Sequence, residues 1–335
     1  MLYDRRVIHL RAPLRLSFVG GGTDFPEYFQ RKPGEVISTT LDVFIYLTIK
    51  DMFDTNVRVH HASIETEPIA SRITHTYTRT ALEYFGLFKG VEVIIVSDVM
   101  TTGSGLGASS ALMSALALGC SCLRNRRLTS PEDLARLTVE LELQAGTVGG
   151  FQDQYATCFG GFNAISFNND QVRVEPLALA PEVRTALEER TLLVFTNLAR
   201  NSLPIQSRLA ESLEQGGKDD HLDRMYQATQ AFKGELLSPT ADIGQLGRIL
   251  DETWQLKKEV SPGSTNLYVD ELYDFMRAHG VVGGKITGAG GGGFFLTLTE
   301  SAEAKKALMY KLYPNYIGME VRFHPQGTEV LWKNF

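Results

Sequence analysis

Three glycines alternate with small residues and precede two serines in the stretch TTGSGLGASSA. Gly103, Gly105 and Gly107 let the backbone turn tightly and approach a ligand with no Cβ in the way. The helix predicted after this stretch would present unpaired N–H groups and the positive end of its dipole to an anion. Ser109 and Ser110 could cap that helix or turn their hydroxyls towards a metal ion. The spacing therefore predicts a phosphate-binding loop.

The loop pattern alone leaves other interpretations open. It is not a Walker A loop, because no Lys-Ser or Lys-Thr pair follows the last glycine. Gly103, Gly105 and Ala108 match the dinucleotide pattern GxGxxA, which expects an acidic residue about 20 residues further on. The chain instead has RNRR at 124–127, which would suit a 2′-phosphate and an NADP-dependent oxidoreductase. A glycine-rich turn without a ligand is the third interpretation.

Arg15 and Asp24 are the first charged candidates along the chain. Residues 7–19 alternate in their second half, with Leu14 and Leu16 on one face and Arg15 on the other, so the guanidinium needs a partner. The predicted strand leads into the tight turn GGGTD, which ends at Asp24. A surface salt bridge and an N-cap aspartate would explain both residues without catalysis.

Acidic residues on and after a helix predicted at 130–145 are the next candidates. Glu140 and Glu142 lie two apart on this helix, so they cannot both face one site. Asp153 begins the following short helix, where a lone aspartate is more often a cap than a catalyst. The sequence alone therefore leaves their roles open.

The predicted elements position these residues in a strand-rich first half. The apolar run VEVIIV before the glycine loop predicts a buried strand, and ALMSALALGC after it predicts a helix. Residues 35–68 alternate as expected for a β-meander, and FNAISF with QVRVEPL predicts a hairpin. Beyond a domain boundary near 175–190, the pattern predicts a strand at 191, helices at about 202–215, 219–236, 241–259 and 266–278, two strands around a glycine turn, a helix at 301–312 and a strand at 317–323. The fold class is α+β.

Composition limits the class of partner. The 335-residue chain has a formal net charge of −6 and three cysteines. This charge argues against a general nucleic-acid binder, which needs a basic face. No apolar stretch approaches the ~18 residues of a membrane span, and the first residues lack the apolar segment of a signal peptide. Scarce cysteines suit a reducing compartment, so we expect a cytoplasmic protein with small-molecule chemistry.

Three stretches occur in the order and spacing of the three motifs of the GHMP kinases, which the chain resembles over nearly its whole length. They are RAPLRLSFVGGGTD (11–24), TTGSGLGASSA (101–111) and KITGAGGGGFF (285–295). The resemblance implies an N-terminal domain like domain 2 of ribosomal protein S5 over residues 1–180 and a ferredoxin-like C-terminal domain over 181–335. Within the superfamily the chain most resembles sugar 1-kinases that act on D-glycero-D-manno-heptose 7-phosphate in nucleotide-heptose pathways of lipopolysaccharide and capsule.

The resemblance implies roles for the acidic and basic candidates. Asp153, seven residues before the glycine pair at 160–161, matches the catalytic aspartate of the family. Arg15 matches the basic residue beside it. Glu142, and not Glu140, matches the magnesium-binding glutamate.

The implied cofactors are ATP and Mg²⁺. Ser109 matches the serine that completes the metal site, with Ser110 as the alternative. The ATP phosphates would be held by Gly103, Ser104, Gly105, Leu106, Gly107, Ala108, Ser109 and Ser110. The third motif would line the cleft near this loop with Lys285, Gly288, Gly290 and Gly291.

The implied substrate contacts come from the first glycine turn. Asp24 matches the aspartate of the galactokinase turn that holds sugar hydroxyls. Gly21 and Gly22 stand where galactokinases carry Glu-His, which would make room for an anionic sugar, and the backbone N–H groups of Gly21, Gly22 and Thr23 are expected to contact it. Arg200 matches a basic position after the first strand of the C-terminal domain, with a surface arginine at a helix start as the alternative.

Other members of the family remain as alternatives. An L-fucose or galactose 1-kinase and a mevalonate-type kinase share the three motifs. A sugar sensor without catalysis would be expected to lack the acid or the base, and both are present here. The expected partners are a sugar phosphate and ATP, and the oligomeric state, monomer or homodimer, stays open.

Overall fold

The computed structural model describes residues 5–99, 103–126, 128–169, 171–198 and 203–335. Residues 101 and 102 of the first glycine loop and Arg200, a predicted substrate contact, lie outside these ranges. The predicted α+β class is confirmed, because the described strands form two sheets with helices packed on them. No helix in the described ranges combines the length and the apolarity needed to cross a bilayer.

The elements follow one another without internal repetition. The first part contains β1 (Val7–Val19), α1 (Pro26–Phe29), β2 (Gly34–Asp51), β3 (Val57–His60), β4 (Ile64–Glu67), a 3-10 turn (Ala70–Arg72), α2 (Thr76–Tyr84), β5 (Val91–Ser97), α3 (Ala108–Leu123), α4 (Pro131–Gln144), α5 (Gln152–Phe159), β6 (Asn163–Asn168) and β7 (Gln171–Pro176). The second part contains α6 (Pro181–Arg190), β8 (Thr191–Phe195), α7 (Leu203–Glu214), α8 (Asp219–Leu236), α9 (Ile243–Val260), α10 (Leu267–Arg277), β9 (Val281–Ile286), β10 (Phe294–Thr299), α11 (Ala302–Leu312), β11 (Ile317–Glu320), β12 (Phe323–His324) and β13 (Glu329–Lys333).

The first sheet is built around β1 and β2, which pair antiparallel along most of their length. The alternation predicted for β1 is present, but every residue from Ala12 to Val19 is buried. The reason is that α3, α5 and α8 all pack against this strand. Arg15 therefore lies in the interior, where a surface salt bridge is no longer an explanation for it.

The predicted β-meander over residues 35–68 is wrong. The strand order is β13-β1-β2-β5-β3-β4, so β5 separates β2 from β3. β3 runs parallel to β5, and only β3 and β4 form a hairpin. Alternation within each strand predicted the strands themselves, but their pairing depends on β5, which follows them in the chain. The hairpin of β6 and β7 is confirmed.

The second sheet has the order β11-β8-β10-β9 and is antiparallel. The helices predicted in this half are present as α7 to α11. α6 was not predicted: only Val183 and Leu187 of its ten residues are buried, so its apolar pattern is weak. β12 and β13 were not predicted either, and they pair with β2 and β1 of the first sheet. The segment 181–335 thus contributes strands to both sheets.

Candidate active site

A cleft opens where the loop before α3 faces the turn between β9 and β10. It also receives the turn after β1, the end of α4, the start of α5 and one face of α9. Its lining includes Arg15, Gly21, Gly22, Asp24, Tyr77, residues 103–110 apart from Leu106, Glu142, Asp153, Gln154, Lys257, Lys285 and residues 288–292 apart from Gly291. Most of the residues singled out in the sequence therefore meet at one place.

The first glycine loop brings the N-terminus of α3 to the cleft. Gly107, at φ +71°, lies immediately before the first helical residue, Ala108. A Cβ on Gly107 would lie 2.8 Å from Cγ of Arg15, so the loop can approach the arginine only as glycine. Leu106 differs from the rest of the predicted loop, because its side chain is fully buried in the core. Its carbonyl accepts a hydrogen bond from the Arg15 backbone N–H at 2.9 Å.

The second glycine turn packs directly on the first loop. The Phe294 N–H donates to the Ser104 carbonyl at 3.0 Å, and a Cβ on Gly288 would lie 2.9 Å from Cα of Gly105. Gly290 lines the cleft, whereas the Gly291 N–H turns away and donates to the Ser264 carbonyl at 2.6 Å. The two predicted glycine segments are thus joined, backbone against backbone, on one side of the cleft.

Arg15 and Asp153 form a two-pronged ion pair at the mouth of the loop. Arg15 Nε donates to Oδ1 of Asp153 at 2.7 Å, and its Nη2 donates to Oδ2 at 2.9 Å. The third guanidinium nitrogen donates to the Gly105 carbonyl at 2.6 Å. Arg15 is only 2% exposed, whereas about a quarter of the Asp153 side chain (26%) is accessible. The arginine thus orients an accessible carboxylate beside the anion-binding loop.

Glu142 lies on α4 with its carboxyl group buried beside the same loop. Gln154 Nε2 donates to its Oε2 at 2.5 Å, but Oε1 has no hydrogen-bond partner among the described residues. Burial raises the pKa of Glu142 to about 7, and the negative charge of Asp153 adds to this, while the polar side chains of Ser110 and Gln154 oppose it. Glu140 is exposed, as expected from its spacing.

The donor set near Glu142 fits a magnesium ion better than a metal held entirely by protein. No group of three His, Cys, Asp or Glu residues in the described ranges could hold a metal. Mg²⁺ usually binds one or two carboxylates and keeps waters and phosphate oxygens as its other ligands. The unpaired Oε1 of Glu142 fits this pattern. Ser109 is exposed and Ser110 is buried, and both line the same cleft as Glu142.

The turn after β1 is organised around Asp24, which is 1% exposed. Its Oδ1 accepts the Gly22 N–H at 2.8 Å, and its Oδ2 accepts the Gln152 N–H at 3.3 Å. Burial raises the pKa of Asp24 above its usual value, and Asp153 adds to this, while the two backbone N–H groups oppose it. Asp24 therefore joins the turn to the start of α5 and also lines the cleft.

Two of the three backbone N–H groups expected to contact substrate are used within this turn. The Gly22 N–H is bound to Asp24, and the Thr23 N–H donates to the Gly20 carbonyl at 3.1 Å. The Thr23 side chain is fully buried, and its hydroxyl donates to the Gly20 and Glu35 carbonyls. The backbone N–H and the hydroxyl of Thr23 are thus both used within the turn, and Thr23 is not among the residues that line the cleft. Gly21 and Gly22 do line the cleft.

Two lysines reach the cleft from the second half of the chain. Lys285, predicted only as part of the third motif, is 5% exposed. Lys257, on α9, was not predicted, and its Nζ donates to the Gly288 carbonyl and to the Ile286 carbonyl at 3.3 Å. The sequence signal for Lys257 is weak, because two adjacent lysines near a helix C-terminus are ordinary.

Comparison with known proteins places the chain in a family. Residues 71–161 match the family described as GHMP kinases N terminal domain, and residues 232–315 match GHMP kinases C terminal. D-glycero-alpha-D-manno-heptose 7-phosphate kinase of Campylobacter jejuni subsp. jejuni serotype O:2 is 34% identical over 328 residues, covering 90% of this chain and 93% of that protein.

Two further proteins show how far the similarity extends. The Arabidopsis thaliana bifunctional fucokinase/GDP-fucose pyrophosphorylase is 28% identical over 341 residues, which cover 93% of this chain and 32% of the plant protein. The crystal structure of a D-glycero-D-manno-heptose 1-phosphate kinase from Bacteroides thetaiotaomicron superposes with a TM-score of 0.78 at 24% identity, covering 99% of both chains. That superposition confirms the predicted fold.

Proposed function

The chain belongs to the GHMP kinases, and on that premise we propose that it transfers the γ-phosphoryl group of ATP to the anomeric hydroxyl of D-glycero-D-manno-heptose 7-phosphate. The family and the named relatives make it a phosphotransferase with an alcohol group as acceptor. The 1,7-bisphosphate would be the product. The observation that carries the proposal is the Arg15–Asp153 pair, held at 2.7 Å beside the N-terminus of α3.

Phosphoryl transfer requires mainly positioning and neutralisation of charge around a loose transition state. The N-terminus of α3 and the loop before it offer N–H groups to the β- and γ-phosphates, in place of the lysine of a Walker A loop. The second glycine turn holds this loop in place through the hydrogen bond from Phe294 to Ser104. The loop is thereby organised before the nucleotide binds.

Asp153 is suited to orient the acceptor hydroxyl and to receive its proton. Its carboxylate is partly accessible, and both of its oxygens are hydrogen-bonded to Arg15. The guanidinium fixes the direction of the carboxylate and can stabilise negative charge on the transferring group. Asp24 lies nearby in the cleft and is proposed to bind sugar hydroxyls.

We propose that Glu142 and the Ser109 hydroxyl hold Mg²⁺, with Ser110 as the alternative to Ser109. When bound, the ion would neutralise charge on the bridging phosphate oxygens. The unpaired, buried Oε1 of Glu142 supports this assignment. A carboxyl group with its pKa raised to about 7 by burial is one that a nearby cation would return to its ionised form.

A fucose 1-kinase is the second candidate function. The similarity to the plant fucokinase covers 93% of this chain, and fucose lacks the terminal phosphate of the heptose substrate. We favour the heptose phosphate because the identity to the Campylobacter jejuni kinase is higher, at 34%. An NADP-dependent oxidoreductase is set aside, because both halves of the chain match kinase families.

An acceptor screen tests the proposal. ADP release would be measured with ATP and Mg²⁺ in the presence of D-glycero-D-manno-heptose 7-phosphate, the same heptose without phosphate, L-fucose, galactose or mevalonate. We expect the highest kcat/KM with the heptose 7-phosphate, and a loss of about 10²–10⁴-fold in kcat for Asp153→Asn, which keeps the shape of the side chain. A preference for fucose or mevalonate would contradict the substrate, and full activity of Asp153→Asn would contradict the mechanism.

A further inference from the structure

Three positively charged side chains line the cleft together with three carboxylates, but the charges are not paired one to one. Arg15 from β1, Lys257 from α9 and Lys285 from β9 all line it. Arg15 is paired with Asp153. Within the described ranges, neither lysine lies within 4.0 Å of a carboxylate oxygen. β1, α9 and β9 thus each contribute a positively charged side chain to the cleft, and within the described ranges only Arg15 of the three forms an ion pair with a carboxylate.

Lys285 is the more unusual of the two lysines. It is 5% exposed, and in the part of the chain that the structure describes its ammonium group has no hydrogen bond or ion pair. Burial lowers the pKa of Lys285 well below its usual value, and the charges of Lys257 and Arg15 add to this, while the charge of Asp24 opposes it. A buried ammonium without partners is costly for the folded protein, so Lys285 does not contribute to stability through a polar contact.

Lys257 lies in a related environment but has partners of a different kind. Its ammonium donates to the carbonyls of Ile286 and Gly288, at the start of the second glycine turn. Burial lowers the pKa of Lys257 to about 8; the charge of Arg15 adds to this, while Asp24 and Asp153 oppose it. Carbonyl oxygens satisfy donors but do not neutralise a charge, and within the described ranges Lys257 forms no ion pair.

We propose that Lys257 and Lys285 together form a phosphate-binding site in the cleft, which Arg15 also lines. Phosphate oxygens would supply a negative charge within ion-pair distance of both lysines and a hydrogen-bond acceptor for Lys285. This inference rests on the proposed function, which places two phosphates in the cleft. They are the γ-phosphate of ATP and the phosphate ester of the acceptor.

The test replaces each lysine by methionine, which keeps the length of the apolar stem. Lys257→Met and Lys285→Met are compared with Lys258→Met, the matched control on the same helix, whose ammonium points to Asp270 at 3.5 Å. Lys285→Gln serves as a second neutral variant if Lys285→Met does not fold. Calorimetry without acceptor gives the Kd of ATP and of ADP, and kinetics give kcat and KM for the heptose with and without its 7-phosphate.

In the Lys257 and Lys285 variants we expect either the preference for ATP over ADP or the preference for the phosphorylated heptose to fall by roughly 10- to 100-fold. The reason is that a hydrogen bond to a charged group contributes about 1.5–3 kcal/mol. Loss of the preference for ATP over ADP identifies the γ-phosphate as the ligand. Loss of the preference for the phosphorylated heptose identifies the acceptor phosphate. The Tm of Lys285→Met should be unchanged or higher, because an unpaired buried charge is removed.

Both preferences staying within about twofold of those of Lys258→Met would overturn the proposal. A fall in Tm of Lys285→Met with both preferences intact would also overturn it, because it would show a structural role. The ATP and ADP measurements need no acceptor. They therefore remain informative if the protein phosphorylates a different sugar, and failure of the proposed substrate is distinguishable from failure of the lysine site.

Discussion

The carboxyl group of Glu142 is buried, and burial disfavours its ionised form unless a cation is present. Burial, with the charge of Asp153 in addition, raises its pKa from 4.5 to about 7. Its Oε2 accepts a hydrogen bond from Gln154, and its Oε1 has no hydrogen-bond partner in the described ranges. The free protein therefore holds a proton at Glu142 over a range of pH in which the unfolded chain has released it.

Replacing this glutamate should change how stability depends on pH. In the wild-type protein without divalent cations, the folded state binds more protons than the unfolded state between about pH 4.5 and 7, so the free energy of unfolding falls as pH rises through this window. The glutamine of Glu142→Gln cannot ionise. We therefore expect this variant to have the same Tm as the wild type near pH 5 and a higher Tm at pH 8. At pH 8 its free energy of unfolding should exceed that of the wild type by an amount on the order of a few kcal/mol. Calorimetric scans from pH 5 to 8 with a chelator would measure this.

The comparison isolates Glu142 because Asp24, whose pKa is also raised by burial, is present in both proteins. Parallel Tm curves for wild type and Glu142→Gln would contradict the prediction. Adding MgATP should narrow the difference at pH 8, because a bound cation stabilises the ionised carboxylate of the wild type.

For single residues, the sequence predicted which side chains face the site better than it predicted which residues they contact. The two-residue spacing of Glu140 and Glu142 indicated that only one could face the site, and Glu140 is indeed exposed. The need of Arg15 for a partner was also foreseeable, because it interrupts an apolar strand. The carboxylate it pairs with is 138 residues away, so the partner could be chosen only through the family resemblance. Lys257 had only a weak local signal in the sequence.

The two glycine turns act as one element, because each fills the space that a side chain of the other would need. Gly105 has φ +74°, and a Cβ there would lie 2.5 Å from Oγ1 and 2.6 Å from the carbonyl oxygen of Thr287. Gly146 has a similar φ of +84°, but a Cβ at that position would have no described atom within 4 Å. Comparing substitutions at Gly105 and Gly146 therefore separates the loss of stability caused by the backbone conformation from the loss caused by contact with Thr287.

Alanine at these two positions should have different effects. We expect Gly146→Ala to lower the free energy of unfolding by about 1 kcal/mol through backbone strain alone. Gly105→Ala should cost about 1–3 kcal/mol more, because the two turns must separate, and it should also weaken ATP binding. Urea unfolding and calorimetric ATP titration would measure both effects. Equal losses of stability with unchanged ATP affinity would show that the contact between the turns is unimportant.

The elements themselves were largely predictable where their apolar pattern is strong. α4 begins at Pro131 after the Ser130 cap and ends at Gln144, close to the helix predicted at 130–145. α6 buries only two apolar residues and has no side-chain cap, so its pattern resembled a linker. β3 and β4 were predicted as strands, but β5 lies between β2 and β3 in the sheet. Alternation reports which face of a strand is buried and carries no information about which strand lies beside it.

Over the whole molecule, the two halves of the chain share a core. The larger buried cluster contains Leu16 and Phe18 from β1 together with Phe232 from α8 and Leu296 from β10. A second cluster lies around Phe295 in the second sheet. β12 and β13 return to the first sheet after the second sheet is complete. Because the larger cluster joins side chains of both halves, we expect the halves to unfold together.

Substitutions in the two cores test this coupling. Phe323 of β12 is 5% exposed and lies edge-on to Phe162 with ring centroids 4.7 Å apart. Phe295 is fully buried and stacks on Tyr273 at 4.8 Å. Phe323→Ala and Phe295→Ala should each cost about 3–5 kcal/mol and lower the Tm of one shared transition, whereas Tyr310→Ala, at a site 85% exposed, should leave it unchanged. Calorimetry would reveal the alternative as two transitions, one shifted by Phe323→Ala and the other by Phe295→Ala. Such a result would mean that the strands β12 and β13 join the first sheet without coupling its unfolding to that of the second.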